Sequence, residues 1–371
     1  MPTRPSHLIA VAAGCVVLIA LGAALPFRSG HTVSAADLPD EPLARGLSHW
    51  DGSWYAGIAS DGYWLKPGQQ SPVAFFPAYP LAIRAVAAVG VNRWVAGALV
   101  TLLCGLGALL LFFRWARLVA PEAAPLAVWL LALYPFAFYL YGVLYSDALF
   151  LLFAVAAFFS LERGRPGLAA VLGAVATLAR PAAPAIVIGL LVRSIELRRK
   201  RGEPLRVVDF VPALAGCGLL AYMIFLGLRF DDPLAFAHVQ AAPGWDNAPG
   251  WHTWLKVAWF ETLFPRVAPI VAVRLGGHAL VTLAALALVV PTWRRLGAGY
   301  GAYVLVAVGL PALSSHDFQG LGRYVIAAFP LFLTLALLLQ PRPRLRRAWL
   351  MASGALLAAL AAGFGAGGYI A

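Results

Sequence analysis

Charge is what this sequence has least of. Only 12% of its 371 residues are Asp, Glu, Lys or Arg, against roughly 25% in a water-soluble domain. Cysteine is scarce too. Cys15, Cys104 and Cys217 each lie in an apolar run, which excludes a disulfide framework and the paired spacing of a zinc site. No P-loop and no internal repeat is present, so nothing marks a nucleotide-driven pump or an inverted-repeat transporter. The balance of 28 basic against 16 acidic residues leaves a net charge of +12. No basic patch is interleaved with stacking aromatics on a soluble module, and nucleic acid is excluded as a partner.

What the chain does have is apolar surface. Hydrophobic residues make up 61% of it, more than a fold of this length could bury, so lipid must solvate much of the surface. A membrane-crossing helix needs about 20 apolar residues. Such runs predict spans near 8–27, 93–113, 122–140, 145–161, 167–180, 182–192, 208–229, 268–290, 297–313, 324–340 and 348–368. The expected fold is an all-α polytopic membrane protein of about 11 transmembrane helices, one integral membrane domain over 1–371. The first run is an anchor rather than a cleaved signal, being long and preceded only by Arg4.

Charge placement sets the orientation. With a cytoplasmic N-terminus, the inner connections hold Arg4, Arg114, Arg117, Arg163, Arg165, the stretch Arg193–Arg206, Arg294, Arg295 and the cluster Arg342–Arg347. That is seventeen basic residues against five acids, so the whole +12 lies inside, as the positive-inside rule requires. Residues 73–90 are apolar but interrupted by Pro77, Pro80 and Arg84, and read as an interfacial or re-entrant helix. The pair 167–180 and 182–192 predicts two half-length helices of the kind that line cavities.

Two outer segments are long, 28–92 and 230–267. The first carries SHWDGSWYAGIASDGYW at 48–64, where His49, Trp50, Trp54 and Tyr55 surround Asp51. Aromatic faces beside a carboxylate suit sugars, and the carboxylate could serve as a general base toward an alcohol. An interfacial aromatic belt with Asp51 as a helix cap has the same composition. Asp147, in YLYGVLYSDALF, is either a second outer carboxylate or a partner of a helix dipole. Arg180 in LARPAAP, and Arg323 and Tyr324 in SSHDFQGLGRYVIAAFP, stand at broken outer turns. Arginine there suits phosphate oxygens or snorkels to headgroups. His316–Asp317 is a single adjacent pair without metal-ligand spacing, so no cofactor is expected. Asp231–Asp232 reads as a turn before Pro233, and GWDNAPGWHTW at 244–254 as an ordered aromatic loop over a pocket.

HWDGSWYAGIASDGYW followed by AFFPAYPLAI, then YPFAFYLYGVLYSDALFLLFAVAAFFSLERGR, LGAVATLARPAA and GRYVIAAFPLFL, run in order over roughly 48–336. Together they resemble the PIG-V-like (GPI mannosyltransferase-related) family. The resemblance implies a GT-C-type membrane glycosyltransferase whose large first outer loop carries juxtamembrane helices. It implies a polyprenyl-phosphate sugar donor, typically of mannose, used on the non-cytoplasmic side. The family's first-loop acid falls on Asp51, and Arg180 and Arg323 fall on family-like positions. Where the family reads YSE, this chain has Asp147. Asp51 is then the catalytic residue. His49, Trp50, Trp54, Tyr55, Asp147, Arg180, His316, Arg323 and Tyr324 are substrate-binding candidates. One carboxylate and one displacement imply inversion. Implied partners are the lipid-linked donor, a glycan, lipid or protein acceptor and membrane lipids, with the Ala/Arg/Pro-rich chain pointing to a bacterial cell membrane. A flippase for a lipid-linked sugar, without transferase activity, would want the same aromatics and arginines.

The charge split makes a direct prediction. Cysteines introduced at Lys66 and in the 244–254 loop should react with a membrane-impermeant maleimide from outside. One at Lys200 should react only after permeabilisation. Lys66 and Lys200 labelled from the same side would overturn the topology.

Overall fold

The computed structural model describes residues 5–24, 39–263 and 269–370. Arg4, the end of the first predicted span at 25–27, and the loop stretches 28–38 and 264–267 lie outside the described residues. The described residues form helices, turns and irregular chain, with no strand among them. Among the described residues, five helices are long and apolar enough to cross a membrane: Pro5–Ala23, Arg93–Val119, Val207–Phe230, Val271–Leu296 and Pro343–Gly365. They expose large apolar side chains, Leu99, Leu103 and Leu110 on the second of them, where water would be a poor solvent. The chain is an integral membrane protein. It divides into two compact units.

The first unit takes the chain up to Gly62, Pro77–Gly164 and Phe332–Ile370. Its helices are α1 (Pro5–Ala23), α2 (Pro42–Leu47), α3 (Asp51–Asp61), α4 (Ala78–Ala87), α5 (Arg93–Val119), α6 (Ala124–Ala132) and α7 (Asp147–Glu162), closed by the C-terminal helix Pro343–Gly365. Asn92 starts α5 by accepting the Trp94 N–H at 2.9 Å. Opposite its exposed leucines, α5 buries a small-residue face of Gly97, Thr101, Gly105 and Ala108. Small residues let backbones approach closely where no hydrophobic drive separates helix from lipid. A Cβ on Gly105 would overlap the Leu140 carbonyl oxygen, and one on Gly97 would press into Leu144. α1 meets the C-terminal helix in the same way, Gly22 against the Ala362 carbonyl and Gly365 against that of Ile19.

The predicted span 122–140 is not one helix. α6 ends at Ala132, because Pro135 disfavours helical geometry at the residue before it. The chain then runs irregularly, with one 3-10 turn at Ala137–Leu140, until α7 begins at Asp147. Every residue from 136 to 151 is buried. The 73–90 stretch does contain a helix, α4, entered through Pro77. Its Arg84 turns back to α3, Nε donating to the Ala59 carbonyl at 2.9 Å.

The second unit comprises Tyr63–Phe76 and Arg165–Leu331. It holds α8 (Pro166–Ala179), α9 (Ala183–Lys200) and the span Val207–Phe230, a 3-10 helix as far as Gly216, then α-helical. Pro269–Ala287, Val289–Leu296 and Ala298–Ser314 follow. The break between α8 and α9 falls where the sequence predicts, but α9 is not half-length. It continues past 192 to Lys200, because Glu196 pairs with Arg193 and with Lys200, each at 2.9 Å, and such i,i+3 and i,i+4 pairs support a polar helix end. The predicted span 324–340 leaves helix after Tyr324 and resumes it at Pro330, the residue type favoured at a first helical position. Part of the long segment between α1 and α5 packs here. Val73 and Phe76 bury themselves against Tyr222, Leu226 and Val239, and Tyr222 Oη donates to the Val73 carbonyl at 2.9 Å.

Gly105→Ala tests the close approach in the first unit. Helix propensity alone favours Ala by about 1 kcal/mol, but overpacking costs about 1–3 kcal/mol, and the obstacle is a backbone carbonyl that cannot rotate away. Thermal unfolding of the full chain should show a lower Tm. Gly107→Ala is the control on the same helix, since its nearest neighbour is Leu152 Cδ1 at an ordinary 3.5 Å. Its Tm should be equal or higher. Equal behaviour of the two variants would refute the argument.

Candidate active site

The first-loop aromatic segment folds as a tight turn that feeds α3. The His49 carbonyl accepts the Gly52 N–H at 3.3 Å, and Trp50 sits at φ 61°, ψ −118°. Those are the angles of the first central residue of a type II′ turn, a place that favours glycine. A tryptophan held there stores on the order of 1–3 kcal/mol. Its own ring holds it: Nε1 donates to the Gly368 carbonyl at 3.2 Å, and the ring centroid lies 4.4 Å from that of Tyr369. His49 points the same way, its Nε2–H donating to the Gly365 carbonyl at 3.2 Å. Burial pushes the His49 imidazole below its ordinary value, with the Gly365 bond opposing and Arg45 adding to the lowering. The ring is therefore uncharged at neutral pH. Both residues anchor the Asp51 turn to the end of the C-terminal helix.

Trp50 occupies the cap position, so Asp51 enters as the first residue of α3 rather than as its cap, where the helix dipole favours an acid. Asp51 is half-buried. Its N–H donates to Tyr145 Oη at 3.1 Å, and that hydroxyl donates on to the His49 carbonyl at 3.3 Å. Tyr145 stands two residues before Asp147, which opens α7 and is 2% exposed. Ser146, between them, lies 2.9 Å from Tyr55 through their hydroxyl oxygens. Tyr55 is buried edge-on against Tyr79, centroids 5.1 Å apart, and Tyr79 Oη donates to the Gly97 carbonyl at 2.9 Å. Tyr145 and Tyr55 thus tie α3 and its starting turn to the segment that opens α7, and Asp51 is the more accessible of the two acids. Trp54 lies one turn along α3, partly exposed. Tyr145, Ser146 and Tyr79 were not singled out by the sequence. For the first two the signal was the YSD triplet itself, two hydroxyls beside an acid.

In the second unit, Pro181 keeps Arg180 out of the helical region. At φ −154°, ψ 157° it ends α8. Its guanidinium lies 4.7 Å from the Tyr324 ring centroid. Arg323, buried, lies 5.0 Å from the same centroid, with Nη2 3.4 Å from Tyr324 Oη. The turn carrying Arg323 uses Gly320 at φ 78°, and the Gly322 N–H donates to Nδ1 of buried His278 at 3.1 Å. His278 escapes sequence reading because it sits in an apolar span. Each cation gains about 0.5–2 kcal/mol from a ring face, but two cations on one ring repel each other. A phosphate would relieve that repulsion and match both planar forks.

His316 serves a loop. Its backbone N–H and its Nδ1 both approach Asn247 Oδ1, at 2.8 and 2.9 Å, and its Nε2 lies 3.6 Å from Asp317. Asp231 ends its helix in the left-handed region at φ 57°, and Asp232 accepts the Leu234 N–H at 3.0 Å, forming the turn that Pro233 suggests. Among the described residues, no three His, Cys, Asp or Glu side chains are grouped closely enough to hold a metal ion.

The family model for mannosyltransferase (PIG-V) matches residues 26–192. A search of curated proteins finds no match. Among solved structures, the chain is similar to the archaeal oligosaccharyltransferase AglB from Archaeoglobus fulgidus in complex with an inhibitory peptide and a dolichol-phosphate. The identity is 12% and the TM-score 0.46, covering 96% of this chain and 56% of that one. It is also similar to the apo form of the Archaeoglobus fulgidus enzyme, at 13% identity and a TM-score of 0.48, with the same coverage. The chain thus spans about half the length of the structures it matches. Over the stretch that carries Asp51, Asp147 and Arg180, this chain matches the mannosyltransferase (PIG-V) family, the family its motifs resemble.

Proposed function

We propose that the chain is an inverting GT-C-type glycosyltransferase. It moves a sugar, mannose by analogy with the matched family, from a polyprenyl-phosphate donor to an extracytoplasmic glycan, lipid or protein. The observation that carries this reading is Asp51: half-buried, at a strained helix start, bonded through Tyr145 to the Asp147 segment, and inside the matched stretch. Asp51 takes the proton of the acceptor hydroxyl as that oxygen bonds to the anomeric carbon. The bond from the anomeric carbon to the phosphate oxygen breaks, and a lipid monophosphate leaves. Arg180 and Arg323 bind that phosphate and stabilise its developing charge. Asp147, almost wholly buried, positions rather than reacts.

At saturating donor, Asp51→Asn should lower turnover by about 10²–10⁴ while donor affinity changes little. Asp61→Asn, exposed at the far end of α3, should lose much less. Near wild-type turnover in Asp51→Asn beside a dead Asp147→Asn would move the base to Asp147. Translocation of lipid-linked sugar by a wild-type chain that never forms a transfer product would make it a flippase.

The arginines should act on the donor. Arg180→Ala and Arg323→Ala each remove a charge-assisted contact of about 1.5–3 kcal/mol, roughly tenfold or more in donor affinity. Acceptor affinity should move less. Unchanged donor binding in both variants would make the pair structural.

A further inference from the structure

The second unit contains a cavity of 430 Å³ that lies outside the matched stretch and is unused by the chemistry above. That volume falls within the roughly 300–1,000 Å³ of small-ligand pockets. The walls are the 246–253 loop, the helix Val257–Leu263 and His316. They present Asp246, Trp251, His252, Thr253, Glu261 and His316, and no Lys or Arg is among the described lining residues.

The loop is held in shape by its own bonds. Asp246, at φ 51°, accepts the Gly244 N–H at 3.1 Å. Asn247 grips His316 as described, and Thr253 Oγ1 donates to the Ala248 carbonyl. Lys256, buried and at φ 58°, donates to the Thr253 carbonyl at 3.4 Å and to the Ser315 carbonyl, fastening the loop's end beside His316. The Trp251 ring stays exposed, 3.6 Å from that of His252.

Among the described lining residues no cation faces the two carboxylates, which disfavours a phosphate, and no three of the described acids and histidines are grouped closely enough for a metal ion. A neutral polyol satisfies such walls: carboxylates and imidazoles accept its hydroxyls, and an indole covers a C–H face. We propose that this cavity binds an uncharged carbohydrate, the acceptor saccharide of the transfer reaction. Its role as acceptor site rests on the transferase reading. The molecule then sorts its substrates by charge, with the anionic donor at the arginine pair and the neutral acceptor here.

The test is a saturation-transfer NMR titration of the full chain in lipid nanodiscs. Methyl α-mannobioside is the probe and lysine amide the cationic comparison. The wild type should bind the mannobioside. Trp251→Ala and Glu261→Gln, both at exposed residues, should each weaken it at least tenfold with unaltered melting. In a transfer assay they should raise the acceptor KM and leave kcat and donor KM unchanged. No binding by the wild type, equal affinity in both variants, or tighter binding of lysine amide would overturn the proposal. Variant-sensitive mannobioside binding by a chain that transfers no sugar would keep the site and sink the transferase. Asp51-dependent transfer with unchanged mannobioside affinity would do the reverse.

Discussion

A buried backbone that is not helical must find each of its hydrogen bonds elsewhere in the protein. The stretch between α6 and α7 lives under that rule, and the first unit is arranged around meeting it. Gly105 leaves room for the Leu140 carbonyl against α5. Tyr141 Oη donates to the Ala132 carbonyl at 2.7 Å, covering the frayed end of α6. The Leu144 N–H reaches the Leu47 carbonyl at 2.9 Å, which binds the stretch to the end of α2. Tyr145 then offers its hydroxyl to the Asp51 turn. Had the run been one continuous helix, its backbone would have been satisfied internally and would have had nothing to offer α2 or Asp51. The broken helix is thus what places one acid at the start of α7 and ties the other to it.

Local chemistry was legible in the sequence, and long-range pairing was not. Pro77 and Pro181 interrupt helix where the sequence predicts, because proline acts on its neighbours, whereas Pro135 and Pro330 lie within runs whose apolar composition predicts continuous spans. The break at Arg180 follows from that reasoning and the acid opening α7 from its place before an apolar run, whereas Asp51 reads equally as a helix cap, a position the structure gives to Trp50. The unwinding of 133–146 was hidden, because its apolar composition is that of a span. So was the extension of α9, since polar helix formers look the same in a loop as in a helix continued by Glu196. The sequence also marked His49 and Trp50 as aromatics near an acid. It could not show that they face Gly365 and Gly368, more than 300 positions away. Nor could it show that Arg180 and Arg323 meet on the one tyrosine that follows the second of them.

The two units differ in the charge they gather. The first holds Asp51 and Asp147 on segments joined through the Tyr145 and Tyr55 hydroxyls. The second holds two guanidiniums on the Tyr324 ring. Tyrosine suits both settings for different reasons. Its hydroxyl can donate and accept in one chain of bonds, as Tyr145 does between Asp51 and His49. Its ring face attracts a cation without neutralising it, as with Arg180 and Arg323 on Tyr324.

The strain at Trp50 makes the C-terminal helix part of the Asp51 site. A type II′ corner would be easier for glycine, yet glycine could not reach out to hold the turn. Tryptophan accepts the backbone cost because its indole is bonded to the Gly368 carbonyl and packed on Tyr369. Those partners are within reach only because Gly365 and Gly22 let the C-terminal helix and α1 touch backbone to backbone. A side chain at either glycine would push the helix outward, lengthen the Trp50 and His49 bonds, and let the corner relax toward ordinary angles. Asp51 would then start α3 from a different direction. The geometry of the acid is in this sense set by the packing of two helices distant from it in sequence.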